Sequence, residues 1–110
     1  MTIFLVETYV VKPERQADFT AYRKKLSQWM KKKQGREVFK EVKSYKAFTQ
    51  RFGGNYGGYV EMWEFENLAD FEKCNNKQLQ SEYLTKQVAP ELAAFVVPAT
   101  YSVSVWNPVE

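Results

Sequence analysis

Two glutamates are the residues of this chain best suited to chemistry. Glu7 lies in an apolar and β-branched run from Thr2 to Lys12, and Glu61 lies in a second run of the same kind. Each glutamate shares a strand face with an aromatic residue two positions on, Tyr9 for Glu7 and Trp63 for Glu61. Two carboxylates in an apolar site tend to share a proton, which raises one pKa into a range useful for acid–base catalysis. The pair therefore predicts a proton-transfer site.

A simpler interpretation of the two glutamates stays open. Each could pair with a lysine or arginine, or lie at a solvated rim of a sheet, where a carboxylate needs no further explanation. The two interpretations differ in whether Glu7 and Glu61 face a water-poor space. We name them as the candidate catalytic residues and expect one of them to have a raised pKa.

The residue types that other common mechanisms need are scarce. The sequence contains no histidine and one cysteine, Cys74. A cysteine nucleophile needs a base or a neighbouring cation to form its thiolate, and transition metals favour nitrogen and sulfur ligands. We therefore expect no metal site, no cofactor and no intramolecular disulfide. A single cysteine also fits a reducing, cytoplasmic location.

Composition is that of an ordinary globular domain with many aromatic residues. Hydrophobic residues make up 45% and charged residues 26% of 110 residues, which predicts one folded domain over residues 1–110. Aromatic residues reach 16%, which is typical of a core filled by rings or of an aromatic-lined pocket or interface. A net charge of +3 with no nucleic-acid-binding motif predicts no nucleic-acid partner. The apolar start lacks the basic lead of a signal peptide, and no apolar run reaches the ~18 residues of a membrane span.

Local patterns around Glu7 predict a strand followed by a long helix. The run from Thr2 to Lys12 has apolar side chains on both faces, as in a strand covered on both sides. Pro13 then suits the first position of a helix. We expect this helix to end at Lys33-Gln34, with Gly35 as its left-handed cap.

The segments around Glu61 predict a hairpin. Polar and apolar residues alternate from Glu37 to Arg51, as in a long strand with one solvated face, and Tyr59 to Phe65 forms the next strand. The glycine-rich segment 52–58 between them leads into a strand. A phosphate-binding loop would lead into a helix instead, so we interpret this segment as a hairpin turn.

The C-terminal part of the chain predicts a helix in two pieces and a last strand. Asn67 is a good helix N-cap, and we expect a break at Asn75-Asn76. A second helical piece is predicted over residues 81–95, in which Pro90 would form a kink or mark the start of a separate turn. Regular alternation from Ala99 to Trp106 predicts the fourth strand.

The resulting order, βαββαβ, is that of the α+β ferredoxin-like fold. This fold has a four-stranded antiparallel sheet with both helices on one face. The other face would carry large apolar side chains, a patch larger than a monomer usually leaves exposed. We therefore predict a homodimer, or a higher oligomer built from it, in which two sheets pack face to face.

The chain also resembles a known superfamily. The segment from Tyr59 to Glu72, in which a Trp-Glu-Phe strand leads into a helix through small residues, resembles the third strand and second helix of the dimeric α/β barrel superfamily. That superfamily includes antibiotic-biosynthesis monooxygenases and NIPSNAP-like proteins. The first strand, followed by Pro13-Glu14 and a long helix, adds to the resemblance. It implies pairing into a dimeric α/β barrel more firmly than it implies any one reaction.

The resemblance implies two functions of different classes. One is a cofactor-independent monooxygenase or isomerase-like enzyme that acts on a small aromatic or polyketide-like compound. The haem-degrading members use a histidine, which this chain lacks. The alternative is a non-catalytic homodimer that binds a small hydrophobic or aromatic ligand or has a structural role. The candidate site residues are Glu7 and Glu61 for proton transfer and Tyr9, Trp63, Ser102 and Trp106 for substrate contact. A cavity with a carboxylate inside it would favour the enzyme.

Overall fold

The fold places four antiparallel strands in one sheet, in the order β2-β3-β1-β4. The structure is a computed structural model and describes residues 2–50, 53 and 56–109. The strands are β1 (Ile3–Val10), β2 (Val42–Thr49), β3 (Gly58–Phe65) and β4 (Ser102–Trp106), and the helices are α1 (Gln16–Met30), α2 (Lys33–Val38), α3 (Leu68–Gln80) and α4 (Ala89–Phe95). The predicted ferredoxin-like α+β fold is confirmed. In the part of the chain that is described, no helix is long and apolar enough to cross a membrane.

Alternation along β1 divides the sheet into two faces. Tyr9 packs against Phe19 of α1, so the odd-numbered side chains of β1 lie under the helices. The even-numbered side chains, such as Val6, lie on the opposite, open face. The central position of β1, between β3 and β4, brings side chains of three strands together around its middle.

The core between sheet and helices consists of two clusters. Tyr9, Phe19 and Phe95 belong to the cluster at one end, and Phe65 and Cys74 belong to the cluster at the other. All five are buried, with at most 6% of their surface exposed. Cys74 therefore serves as a packed core residue.

The first helix ends earlier than predicted. It stops at Met30, and Gly35 lies inside α2 instead of capping α1. A β-carbon at Gly35 would lie 2.3 Å from the carbonyl oxygen of Trp29, so only glycine lets α2 approach the end of α1 this closely. Because α2 takes up residues to Val38, the second strand begins at Val42 and not at Glu37.

The hairpin between β2 and β3 is confirmed, and its register is regular after a bulge near Val42. Gly57 in the turn has a φ of +85°, a conformation that glycine adopts without strain. Residues 52, 54 and 55 of the predicted turn lie outside the described residues, as does Arg51, the last residue of the predicted second strand.

The C-terminal helices confirm one prediction and correct another. The side-chain oxygen of Asn67 accepts a hydrogen bond from the backbone N–H of Asp70 at 2.8 Å, so the predicted N-cap is confirmed. The predicted break at Asn75-Asn76 is wrong, because α3 continues through both residues to Gln80. Both asparagine side chains are exposed on the surface of the helix. A π-helical turn, Tyr83–Val88, then leads directly into α4 just before Pro90.

Candidate functional site

A cavity of about 370 Å³ separates the middle of the sheet from the helices. Side chains of β1, β2 and β3 form its floor, while α1, α3, α4 and the π-helical turn form its roof. Its volume falls within the ~300–1,000 Å³ typical of small-ligand pockets. Most of the lining side chains are aromatic or aliphatic. The acidic and basic residues among them are Glu7, Glu61, Arg23 and Lys31.

Glu7 and Glu61 are opposite each other on the floor of this cavity. They are direct partners in the register between β1 and β3, and both side chains line the cavity. Antiparallel partners lie about 4.5–5.5 Å apart at their β-carbons, so the two carboxyl groups interact. The sequence-based prediction that they meet on the central strands is therefore confirmed as a matter of geometry.

The carboxylate of Glu61 has three compensating partners. One oxygen accepts a hydrogen bond from the Tyr9 hydroxyl at 2.5 Å. The other accepts a hydrogen bond from the Tyr45 hydroxyl and lies 3.5 Å from the Arg23 guanidinium. Arg23 also donates to the Tyr45 oxygen at 2.9 Å, which closes a small network. Only 13% of the Glu61 side chain is exposed, so these contacts act with limited screening by water.

The carboxyl group of Glu7 has neutral partners instead. One oxygen accepts a hydrogen bond from the indole N–H of Trp63 at 2.8 Å. The other accepts a hydrogen bond from the hydroxyl of Tyr101, which lies just before β4. Within the described residues, Glu7 has no ion pair with a lysine or arginine. A charge on Glu7 is therefore stabilised by two hydrogen bonds and opposed by the charge of Glu61.

These surroundings favour the neutral form of Glu7. Burial, as the largest cause, raises the pKa of Glu7, and the nearby Glu61 charge raises it further. The hydrogen bonds from Tyr101 and Trp63 lower the pKa of Glu7 in part, without reversing the rise. The two glutamates thus have different electrostatic environments although they occupy equivalent positions on neighbouring strands.

The tyrosines of the site remain neutral hydrogen-bond donors. Burial, followed by the charge of Glu61, raises the pKa of Tyr9 and of Tyr45. Burial and the charge of Glu7 likewise raise the pKa of Tyr101. Burial opposes the charge of Arg23, but its contacts with Tyr45 and Glu61 raise the pKa of its guanidinium.

Aromatic rings support the cavity walls. Trp63 stacks on Phe39 at 5.3 Å between ring centres and contacts Tyr45 at 4.3 Å. Tyr9 stacks between Tyr59 at 5.7 Å and Tyr101 at 6.0 Å. Flat apolar walls of this kind suit a flat apolar ligand.

The structure brings four of the six predicted site residues to the cavity. Tyr9 and Trp63 line it together with the two glutamates. Ser102 and Trp106 do not, because β4 pairs Ser102 with Thr8 and Trp106 with Phe4, which lie on the open face. Trp106 is 59% exposed there. The alternate side chains, Tyr101 just before β4 and Val103 and Val105 within it, face the side of the sheet that carries the helices.

Three residues of the site were not predicted from the sequence. Arg23 lies four positions after Phe19 on α1, so the buried stripe of that helix indicated a charged group near the sheet. Tyr45 lies opposite Trp63 in the register between β2 and β3, a relationship that depends on the bulge near Val42. Tyr101 reaches Glu7 across 94 positions of sequence, and no local pattern indicates that contact.

No three His, Cys, Asp or Glu side chains cluster as metal ligands anywhere in residues 2–50, 53 and 56–109. Glu7 and Glu61 are the acidic pair of the cavity, and their partners are tyrosine, tryptophan and arginine donors.

Comparison with known proteins identifies the fold. The sequence matches no protein-family model and no curated protein. A NIPSNAP family protein from Agrobacterium tumefaciens superposes with a TM-score of 0.76 at 12% identity, covering 100% of this chain and 95% of that one. The chain shares the fold of this NIPSNAP family protein. A NIPSNAP-like domain protein from Burkholderia xenovorans gives 0.73 at 17% identity, covering 98% and 85%.

Two further solved structures extend the comparison. An antibiotic biosynthesis monooxygenase superposes with a TM-score of 0.69 at 14% identity, covering 98% of this chain and 99% of that one. A cofactor-independent oxygenase from Streptomyces nogalater gives 0.66 at 12% identity, covering 99% and 94%. The resemblance read from the sequence is therefore confirmed at the level of fold.

Proposed function

We propose that the cavity binds a small aromatic or polyketide-like compound and that Glu7 moves a proton to or from it. The observation that carries this proposal is the unequal pair of glutamates inside an aromatic cavity. Acid–base sites often contain two carboxyl groups whose surroundings differ, so that each group has its own role. Glu61 has an ion pair with Arg23, whereas the described hydrogen-bond partners of Glu7 are neutral.

The two glutamates have separate roles in this proposal. Glu61 is held by Tyr9, Tyr45 and Arg23, so its position is fixed. Glu7 has neutral partners and a raised pKa, so its proton is the one that moves. A raised pKa brings a carboxyl group closer to the working pH, where both its acid and base forms are useful. Glu7 is the acid–base residue and Glu61 is a positioning residue.

The chemistry that suits Glu7 is enolisation. As a base, its carboxylate takes a proton from a carbon between an aromatic ring and a carbonyl group, and the electron pair moves onto the carbonyl oxygen. Return of the proton to a different carbon would complete an isomerisation. Reaction of the enolate with molecular oxygen would turn a methylene into a carbonyl, with one oxygen atom retained and the other released as water.

Two of the structural neighbours agree with the oxygenase branch of this proposal. One is an antibiotic biosynthesis monooxygenase and the other is a cofactor-independent oxygenase. At 14% and 12% identity they support the scaffold, while the support for enolisation comes from Glu7 and its cavity. Ligand binding without chemistry is the second candidate, and the aromatic walls alone would be sufficient for it.

We also propose that the working unit is a homodimer formed through the open sheet face. Phe48 is 53% exposed on this face and Trp106 is 59% exposed. Val6 and Met62 are register partners between them, and their side chains continue the apolar surface. Face-to-face packing of two sheets would bury these side chains and leave the helix-side cavity of each subunit intact.

The proposed enolisation is tested with β-tetralone, whose acidic methylene lies between an aromatic ring and a carbonyl. In deuterated buffer the wild type should speed the loss of the methylene proton signal, and Glu7→Gln should lower that rate by about a hundredfold or more. Oxygen uptake in the same sample separates oxygenation from simple exchange. Binding of β-tetralone with no faster exchange would favour the non-catalytic candidate.

A further inference from the structure

Glu7 contacts both the cavity and a tyrosine outside the cavity. Its side chain lines the cavity, and one of its carboxyl oxygens accepts the hydroxyl of Tyr101. Tyr101 is not a lining residue of the cavity, and 46% of its surface is exposed. The carboxyl group therefore lies between the ligand space on one side and the hydroxyl of a half-exposed tyrosine on the other.

The edge position of β4 explains this exposure. Val103 and Val105 follow Tyr101 on the same face of the sheet and are 49% and 47% exposed. Their neighbours on β1, Glu7 and Leu5, line the cavity instead. The helices thus cover β1 and leave the helix-side face of β4 open to water.

Packing holds the Tyr101 hydroxyl in place. Its ring stacks on Tyr9 with 6.0 Å between centres and an angle of 22° between planes. Tyr9 is 2% exposed, so the surface beneath the Tyr101 ring is fixed. A hydroxyl positioned in this way can donate one hydrogen bond and accept another at the same time.

The other groups around Glu7 do not offer the same connection. Trp63 donates through an indole N–H, which cannot accept a proton. From β3 and α1, Glu61 and Arg23 face the same space but are paired with each other. The Tyr9 hydroxyl donates to Glu61. Among the described partners of Glu7, Tyr101 alone combines an exposed side chain with a hydroxyl group.

We propose that Tyr101 relays protons between Glu7 and solvent. This inference rests on the proposed function, because a relay matters only if Glu7 exchanges its proton. In each transfer the Tyr101 oxygen takes the proton from Glu7 while its own hydroxyl proton passes to water, and the reverse transfer reloads Glu7. No bond to carbon changes, and no free tyrosinate needs to form. That route agrees with burial and the Glu7 charge raising the pKa of Tyr101.

The test compares Tyr101→Phe with wild type in the β-tetralone exchange assay. Phenylalanine keeps the ring stack and removes only the hydroxyl. At low buffer concentration the variant should exchange about tenfold more slowly, and high concentrations of imidazole should restore its rate. Restoration by a small buffer is expected of a missing relay and not of a distorted site. Tyr56→Phe is the matched control, since Tyr56 is 80% exposed and does not line the cavity.

Wild type alone provides a second measurement, because its rate should not depend on buffer concentration. A Tyr101→Phe rate equal to wild type at low buffer, or a loss that imidazole does not restore, would overturn the relay. If wild type shows no exchange at all, the proposed enolisation fails.

The hydrogen bond between Tyr101 and Glu7 can still be tested in that case, by an NMR titration of the Glu7 carboxyl carbon. Tyr101→Phe removes this hydrogen bond and should raise the Glu7 titration midpoint. An unchanged midpoint would overturn the relay as well.

Discussion

Glu7 and Glu61 are register partners on neighbouring strands, yet Arg23 compensates Glu61, at 3.5 Å, while the described residues give Glu7 no cation. The asymmetry comes from the elements around them. Arg23 on α1 and Tyr45 on β2 both reach Glu61, whereas Glu7 lies towards the edge strand β4. This asymmetry has consequences for stability and proton exchange that can be measured.

The stability of the folded protein should fall as pH rises above the titration of unfolded glutamate, near pH ~4.3, and through the higher folded-state pKa of Glu7. In that window the unfolded chain releases the Glu7 proton more readily than the folded protein does, so rising pH favours unfolding. Glu7→Gln should flatten the fall, and Glu61→Gln should reduce it by removing the neighbouring charge. Urea unfolding at a series of pH values measures this.

The control for this series is Glu14→Gln, because Glu14 is exposed and outside the cavity. Its profile should follow that of wild type. Identical pH profiles for wild type and Glu7→Gln would mean that the folded protein ionises Glu7 as easily as the unfolded chain does.

Replacing Arg23 should cost more stability than replacing a surface cation. Arg23→Gln leaves the Glu61 carboxylate, which is only 13% exposed, without its ion pair, at a cost of about 1–3 kcal/mol. Lys86→Gln is the matched control, because Lys86 and its partner Glu82 are 75% and 84% exposed. Such exposed pairs contribute little. Equal losses in the two variants, by urea unfolding at neutral pH, would contradict the compensating role of Arg23.

Assembly through the open sheet face predicts a solution mass of twice the 12.9 kDa of one chain. Phe48→Glu places a charge on that face and should shift the protein towards monomer in sedimentation experiments. Leu79→Glu is the control, because Leu79 is 67% exposed on α3, away from the open face. A monomeric wild type, or an equal shift in both variants, would contradict a dimer built on this face.

The central part of the site was predictable from sequence, for physical reasons. Side chains alternate with a period of two, so Tyr9 had to share a face with Glu7, and Trp63 with Glu61. The βαββαβ order then makes their strands neighbours. Both relationships depend on local pattern and on topology, which a single sequence carries.

The contribution of β4 was not predictable in the same way. Alternation divides its residues into one set with Tyr101 and another with Ser102 and Trp106, but it does not say which set faces the helices. The chain path before the strand decides that, and it includes Ala99 with a φ of 70°, which no sequence pattern marked. The hydroxyl of Tyr101 therefore reaches Glu7, and Ser102 and Trp106 lie on the open face.

The most direct test of the proposed site is a titration of the Glu7 carboxyl carbon by NMR in protein with isotope-labelled glutamate. The Glu7→Gln variant assigns the resonance, because its signal disappears there. We predict a midpoint above the ordinary value of 4.5, and a change in that midpoint when β-tetralone fills the cavity. A midpoint at or below 4.5 that β-tetralone does not move would contradict Glu7 as the proton-transfer group of the cavity.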